Sequence, residues 1–364
     1  MAAAESRLAH AVLAKNLGVR RGENVLIETW THGLPYAQAF ISEARRLGAR
    51  PTVLYEDETA WWEAVASKRL ASFATLSASE RAALEASDVY IHIWGPEDRP
   101  RSERLPDKVR EQTMAFNEEW YRRAKKAGVR GCRMTVGQAT DPMAHAFGLD
   151  GPRWRRRLVE AGAVDGQRLL ALGNRVARAL RKGKRLRIRH PNGTDLQLDL
   201  DGVHARVDSG IVDAEARARP YGMLANNPTG QVLVAVDSAN PTGTLVSNRT
   251  IYFGPNRFGG SRWDFSEGRL VKYRNGLGGS LFEQAYAKAP KGKDRLGYFS
   301  IGLNAASRDL PPCEDTEEGA AIFGLGANSF AGGDVKIPFQ GFAMVGGASI
   351  AVDGKTIASD GRIR

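Results

Sequence analysis

Cysteine is scarce in this chain of 364 residues, which contains only Cys132 and Cys313. The two lie far apart in the sequence, and neither belongs to a CxxC or Cys/His spacing. A disulfide framework and a cysteine-based zinc site are therefore excluded as the basis of the fold. Two isolated thiols are typical of a protein in a reducing compartment.

Long apolar segments are also missing. The amino terminus, MAAAESRLAHAVLAKN, has charged residues where a signal peptide needs an apolar run, and no window approaches eighteen uncharged apolar residues. We therefore expect no membrane partner and a cytoplasmic location. Hydrophobic residues make up 42% of the chain and charged residues 26%, which is typical of a globular protein with a substantial core.

Common catalytic motifs are absent as well. The sequence has no GxSxG segment, its six histidines show no ligand spacing, and the glycine-rich stretches 254–260 and 276–279 lack a P-loop lysine. A serine hydrolase of that type and a P-loop nucleotide site are therefore not expected. The glycines predict turns and bulges instead.

Positive charge is concentrated in one segment. Residues 152–190 contain thirteen Arg or Lys against Glu160 and Asp165, a surplus equal to the formal net charge of +11 of the whole chain. Two interpretations remain open: a surface that binds RNA or another acidic partner, or a solvated face or subunit contact. The candidate nucleic-acid contacts are Arg175, Arg178, Arg185, Arg187 and Arg189.

The first half of the chain alternates between helical and strand patterns. The predicted pairs of helix and strand are 6–17 with 25–27, 34–47 with 51–55, a helix ending near 86 with 89–94, and 118–127 with 129–136. Strands separated by helices of this length form right-handed βαβ units. We therefore predict an α/β amino-terminal domain with a mainly parallel sheet.

The character of the chain changes near residue 183. A helical pattern over 168–182 is followed by a region rich in Gly, Asn and Pro with short alternating strands, which predicts a mainly antiparallel β domain. The segments 186–189 and 196–198 flank Asn192-Gly193 and predict a β-hairpin. The predicted domains are 1–183 and 184–364, the second being the β-rich carboxy-terminal domain.

An ordered series of short motifs runs through the second half. The series is NGTDL at 192–196, NPTGQV at 227–232, PTGTLV at 241–246, FSEG at 265–268, LGY at 296–298, GLN at 302–304 and VDGKTI at 352–357. With the opening LGVRRGENVL at 17–26, it resembles the aminopeptidase T and aminopeptidase S family of metallopeptidases. The resemblance spans most of the chain. It implies an α/β amino-terminal domain, a β-rich carboxy-terminal domain that holds two metals, and a homodimer.

The metal ligands of that family are two glutamates, two histidines, a tyrosine and an aspartate. By resemblance, the matching residues here are Gln231 and Tyr298 for the glutamates, Ile322 for the first histidine, Ser329 near the tyrosine, and Gln340 and Phe342 for the last histidine and the aspartate. No histidine follows His204, so both imidazole ligands are missing in any local alignment. We therefore predict no metal and no cofactor in this pocket. The alternative is a carboxylate-only Mg²⁺ or Ca²⁺ site among Glu314, Asp315, Glu317, Glu318 and Asp334.

Loss of the metals removes the source of the nucleophile, because a bound divalent ion is what activates water and polarises the carbonyl. Three interpretations of the degenerate pocket remain. It binds a peptide-like or small amide-type ligand, it is a metal-independent amide or peptide hydrolase, or it is a vestigial cavity filled by its own side chains. The working hypothesis is the binding site of a pseudoenzyme. The candidate catalytic residues are Tyr298 and Gln231, and the candidate ligand contacts are Ser329, Gln340, Phe342 and Asn227.

Overall fold

Residues 2–67, 75–219, 222–236 and 240–364 are described by the computed structural model of the chain. Their α-helices are α1 (Ala2–His10), α2 (Leu34–Arg46), α3 (Glu58–Ala66), α4 (Ala78–Glu85), α5 (Arg99–Ser102), α6 (Asp107–Ala127), α7 (Asp141–Phe147), α8 (Gly151–Gly162), α9 (Gly166–Lys182), α10 (Ala214–Ala218) and α11 (Gly279–Lys288). A π-helical turn over Ala11–Asn16 continues α1.

The strands are shorter and concentrate in the second half of the chain. They are β1 (Asn24–Trp30), β2 (Arg50–Glu56), β3 (Val89–Ile93), β4 (Arg130–Met134), β5 (Arg185–His190), β6 (Thr194–Asp199), β7 (His204–Asp208), β8 (Leu224–Asn227), β9 (Gln231–Ala235), β10 (Thr242–Val246), β11 (Ile251–Phe253), β12 (Asn256–Phe258), β13 (Arg262–Ser266), β14 (Arg269–Arg274), β15 (Leu296–Gly302), β16 (Ala321–Gly326), β17 (Gln340–Val345), β18 (Ser349–Val352), β19 (Lys355–Ser359) and β20 (Arg362–Ile363).

The first compact unit comprises Met1–Gly166 and Gly210–Pro228. It contains a five-stranded sheet in the order β2-β1-β3-β4-β8, in which every pair is parallel. The continuous apolar run Val25–Ile27 of β1 is fully buried, as expected for a parallel strand that is covered on both faces. Phe40 of α2 is also buried, so this helix contributes its apolar face to the core.

The second unit comprises Gln167–Ser209 and Thr229–Arg364. It contains an eight-stranded sheet in the order β14-β13-β10-β6-β5-β18-β19-β20, a five-stranded sheet in the order β17-β16-β15-β9-β7, and the two-stranded β11-β12. All neighbouring strands of these sheets pair antiparallel. Leu186 and Ile188 of β5 are buried while Arg185 and Arg189 are exposed, which follows the alternation of side chains along a strand.

The predicted fold class is confirmed, since a parallel α/β region precedes an antiparallel β-rich region. The four strands predicted in the first half form β1 to β4, and the hairpin predicted around Asn192-Gly193 forms β5 and β6. The compact units have other bounds than the predicted domains 1–183 and 184–364. That domain division remains a prediction from the sequence. α9 belongs to the second unit except for its first residue, and β8 returns to the first unit, where it pairs with β4.

Helix α6 is the longest described helix, with 21 residues, and many of them are charged. No helix in the described ranges combines the length and apolar character needed to cross a membrane.

The side chain of Asn227 has a structural role at the end of β8. It is buried, and its amide nitrogen donates a hydrogen bond to the carbonyl oxygen of Gly162 at 2.8 Å. Replacement by Ala would leave that carbonyl without this donor in a buried position. We expect Asn227→Ala to lower the free energy of unfolding by about 1–3 kcal/mol, measured by denaturant titration.

The matched control is Asn226→Ala, because Asn226 is the neighbouring residue on the same strand and is exposed. This variant is expected to change the stability by less than about 0.5 kcal/mol. Equal stability of the two variants would contradict a structural role for Asn227.

Candidate functional site

The residues predicted from the metal positions converge on one face of the five-stranded sheet β17-β16-β15-β9-β7. Tyr298 pairs with Ala235 on one side and with Gly324 on the other, and Gly324 pairs with Phe342. Cross-strand partners and residues two positions apart on a strand point to the same face. The shared face therefore carries Gln231, Tyr298, Ile322, Gln340 and Phe342, and we call it the Tyr298 face.

Apolar side chains cover much of this face. The buried cluster consists of Leu233, Ala235, Ile251, Tyr298, Ala320, Ile322, Ala331 and Met344, with Phe342 packed against it. Ile251 and Ala331 come from β11 and from the 3-10 turn Ser329–Ala331, so both segments lie over the sheet. The centre of the face is thus a hydrophobic core rather than a polar cavity.

The ring of Tyr298 lies across Gly324. A Cβ atom at position 324 would stand 1.9 Å from a ring carbon of Tyr298, so only glycine fits beneath the ring. Phe330 packs edge-on against the same ring, with 4.9 Å between the centroids. Burial raises the pKa of Tyr298 above its ordinary value, and the carboxylate of Asp315 adds to this effect. The hydroxyl is therefore protonated at neutral pH and can donate or accept a hydrogen bond.

A polar edge borders the aromatic residues. Arg206 of β7 forms two hydrogen bonds with the carboxylate of Asp208, at 2.9 and 3.0 Å, and one with the carbonyl oxygen of Phe330 at 2.9 Å. Burial and the negative charge of Asp208 raise the pKa of Asp315 to about 6. Arg206 and Asp208 were not identified from the sequence, because a charged pair two residues apart on a strand is common without any function.

Gln231 lies on the Tyr298 face but away from Tyr298. It pairs with Gly302, whereas Tyr298 pairs with Ala235, four residues further along the same strand as Gln231. At the rise of a β-strand, this offset separates the two backbone positions by about 13 Å. The two predicted catalytic residues therefore do not form a hydrogen-bonded pair.

The predicted ligand contacts occupy different surroundings. Ser329 is half-buried in the turn that carries Phe330, and Phe342 packs against Phe253 with 5.7 Å between ring centroids. The amide of Gln340 is 3.4 Å from the carbonyl oxygen of Ala327, a long hydrogen bond. Asn227 belongs to β8 of the first unit, where its side chain is bonded to Gly162.

The donor atoms on the Tyr298 face do not fit a two-metal centre. Isoleucine and phenylalanine offer no ligand atom, a glutamine amide carries no charge, and the buried phenol is protonated. In the described part of the second unit, no three His, Cys, Asp or Glu side chains bring their ligand atoms within 4.8 Å of one another.

The predicted basic contacts separate into two groups. Arg185, Arg187 and Arg189 of β5 line a groove of about 1330 Å³ on the eight-stranded sheet. Six basic and three acidic side chains line this groove: Arg181, Lys182, Lys184, Arg185, Arg187 and Arg189, with Asp199, Asp201 and Asp353. Arg187 is bonded to both carboxylate oxygens of Asp195, at 2.8 and 2.7 Å. Arg175 and Arg178 are exposed on α9 and are not part of the lining.

The chain has an aminopeptidase T-like fold, with a parallel α/β unit and an antiparallel β-rich unit. Wild-type AmpT from Thermus thermophilus is similar over 99% of both chains, with a TM-score of 0.69 and 18% sequence identity. The 2,5-dihydroxypyridine dioxygenase of Pseudomonas putida KT2440 is similar over 100% of this chain and 98% of its own, with a TM-score of 0.60 and 15% identity. No known family model and no curated protein sequence matches the chain.

Asp315 provides a test of the polar edge. Its pKa in the folded protein is about 6, above the ordinary value, so the folded state binds this proton more tightly than the unfolded state. The stabilising contribution is present at low pH and is lost as the pH rises towards 6 and above. We expect Asp315→Asn to be more stable than the wild type at about pH 7.5, by on the order of 1–3 kcal/mol, and to lose this advantage near pH 4.

Denaturant unfolding at the two pH values measures this difference. The control variant is Asp360→Asn, because Asp360 lies at an exposed turn with a side chain 85% exposed. A stability difference for Asp315→Asn that stays constant between the two pH values would show that this carboxyl group has no raised pKa.

Proposed function

We propose that the chain is an aminopeptidase T-like protein that lacks the two-metal site in its second unit and binds a peptide-like or small amide-type ligand at the Tyr298 face. The observation that carries the proposal is the chemistry of this face. Amide, phenol and apolar side chains stand at the positions where the resemblance to metallopeptidases requires carboxylates and imidazoles. A face of this kind has groups that can bind an amide but no metal ligands at these positions that would activate water.

The groups around Tyr298 suit an unblocked amide. The phenol hydroxyl can donate to an amide carbonyl, and the carboxylate of Asp315 can accept from a protonated amine. Phe330 is partly exposed beside the ring and offers an apolar surface for a side chain. We therefore propose amides with a free amine as the ligand class.

Metal-independent hydrolysis is the alternative function of the same face. It requires a general base near the scissile carbonyl, and a phenol with a raised pKa is a poor base at neutral pH. The separation of Gln231 from Tyr298 also argues against a shared reacting atom. Binding without turnover is therefore the function that the geometry supports best.

A second candidate function is binding of RNA or another acidic partner in the basic groove of the second unit. The observation in its favour is the excess of basic over acidic side chains lining one groove. The acidic residues that line the same groove, and the pairing of Arg187 with Asp195, favour the alternative of a solvated face.

The fold by itself does not select among these functions. The two similar structures carry the names of a protein called AmpT and of a dioxygenase, so related folds host different chemistries. A homodimer and a cytoplasmic location remain predictions from the sequence and the resemblance.

Calorimetric titration with leucine amide and with N-acetyl-leucine amide tests the ligand class. We expect wild-type protein to bind the unblocked amide more tightly, because only its ammonium group can pair with Asp315. Tyr298→Phe should weaken binding of both ligands by about three- to tenfold, which corresponds to one hydrogen bond. Asp315→Asn should weaken binding of the unblocked amide and leave the acetylated amide unchanged.

The exposed Asp360→Asn variant is the control for loss of one carboxylate, and it should bind as the wild type does. Liberation of leucine is followed in the same samples, with and without added Zn²⁺, Co²⁺ or Mn²⁺. Turnover without metal that disappears in Tyr298→Phe would favour the hydrolase. Turnover that requires metal, or the absence of amide binding, would overturn the proposal.

Matched arginine variants test the basic groove. We expect Arg185→Ala with Arg189→Ala to weaken binding of a single-stranded RNA and to reduce the slope of log affinity against log salt by about two, if the groove neutralises phosphates. Arg175→Ala with Arg178→Ala removes the same charge from α9, outside the groove. Equal effects of the two pairs would contradict a specific role for the groove.

A further inference from the structure

Three segments meet at the carboxyl edge of the parallel sheet in the first unit. β1 lies between β2 on one side and β3 on the other, so the order of the strands along the sheet reverses at β1. The crevice beyond the carboxyl ends of such strands is the usual ligand position in open α/β sheets. Here the turn after β1 carries His32, the loop after β3 carries Glu97, and α3 begins at Glu58.

The imidazole of His32 is held in one orientation. Its Nε2 atom is 3.0 Å from the carbonyl oxygen of Trp94 and 2.9 Å from that of Gly137. Because both partners are acceptors, Nε2 carries the hydrogen and Nδ1 presents its lone pair. Gly137 permits this bridge, since a Cβ there would stand 2.5 Å from the backbone nitrogen of Trp94.

The Nδ1 atom of His32 is buried and has no hydrogen-bond partner among the described residues. It faces the carboxylate of Glu58, whose Oε2 atom is 4.0 Å away. This distance is too long for a hydrogen bond. It is within the span of two metal–ligand bonds of about 2.1 Å each.

The carboxylate of Glu58 and the backbone of Glu97 are fixed in place. The carboxylate of Glu58 accepts hydrogen bonds from the backbone nitrogens of Glu97 and Asp98, at 2.6 and 3.1 Å, and from Nε1 of Trp62 at 3.0 Å. The backbone of Glu97 is held at both ends, because its carbonyl oxygen also accepts from the hydroxyl of Thr140 at 2.7 Å. Ligand atoms of His32, Glu58 and Glu97 lie within 4.8 Å of one another.

We propose that His32 Nδ1 and the carboxylates of Glu58 and Glu97 bind a divalent transition-metal ion such as Zn²⁺. One imidazole and two carboxylates are ligands that this ion accepts. The outer contacts also match, because a ligating histidine commonly donates its other ring N–H to a backbone carbonyl, and ligating carboxylates are commonly hydrogen-bonded. Three protein ligands leave a fourth position for water or a small ligand.

The ion would connect the turn after β1, the first turn of α3 and the loop after β3. Side chains of His32 and Glu58 are 12% and 16% exposed, so the position is largely shielded from solvent. Trp30 and Trp61, which are close in sequence to His32 and Glu58, pack edge-on with 5.7 Å between ring centroids. They add apolar surface to these segments. This site is independent of the Tyr298 face, which belongs to the other unit.

Zn²⁺ titration of the full-length protein after removal of metal by a chelator tests the site. We expect one equivalent of Zn²⁺ per chain, a concentration-dependent rise in melting temperature, and a visible absorption band when Co²⁺ replaces Zn²⁺. Glu97→Gln should weaken binding by at least about tenfold. It keeps the backbone contacts of residue 97, so its circular dichroism and its melting temperature without metal should match the wild type.

The control is His10→Gln, which removes the imidazole of another histidine–carboxylate pair, His10 with Glu43 at 2.9 Å. This variant should bind Zn²⁺ as tightly as the wild type. Absence of saturable binding, or equal affinity of wild type and Glu97→Gln, would overturn the site. Two equivalents of Zn²⁺ that are insensitive to Glu97→Gln would instead place metals elsewhere and contradict the proposed function of the Tyr298 face as well.

Discussion

The contact between Tyr298 and Gly324 sets the character of the β-rich unit. A large ring can lie flat on the sheet only because the neighbouring strand has no Cβ at the facing position. Phe330 then packs on the ring, and the apolar cluster of the same face completes its burial. Burial keeps the phenol protonated. The centre of the face therefore favours hydrogen bonding and apolar contact, and its ionised groups lie at the polar edge.

The two units therefore bring together different kinds of side chain. On the Tyr298 face, Ile322, Phe342, Gln231 and Tyr298 supply apolar, amide and phenol groups. At the carboxyl edge of the parallel sheet, an imidazole lone pair and two carboxylates converge although no sequence motif connects them. Anionic oxygen and neutral imidazole bind divalent ions, whereas hydrocarbon does not. We therefore expect a metal ion at the edge of the parallel sheet and none on the Tyr298 face.

Local patterns in the sequence predicted most of the fold. Apolar runs and helical periodicity located β1 to β4, and the Asn-Gly turn located the hairpin of β5 and β6. β8 was not predicted, because a four-residue strand is recognised only by its partner, and Leu224 pairs with Gly131 far away in the chain.

His32, Glu58 and Glu97 were not recognised as a group for the same reason. Strand order brings these three residues together, and they have no characteristic spacing along the sequence by which a metal site could be recognised. The resemblance already grouped Tyr298 with Phe342. The separation of Tyr298 from Gln231 became visible only from the strand register of β9 and β15.

The late position of β8 in the chain has a consequence for synthesis on the ribosome. β4 ends at Met134, and its outer partner begins at Leu224, so about ninety residues must be translated before that edge can pair. At typical elongation rates this takes about 5–18 s, during which the nascent edge presents free backbone donors and acceptors. The parallel sheet of the first unit therefore cannot be completed before residues 224–227 have been synthesised. Its completion waits until α9 and the hairpin of β5 and β6, which precede β8 in the chain, have been synthesised.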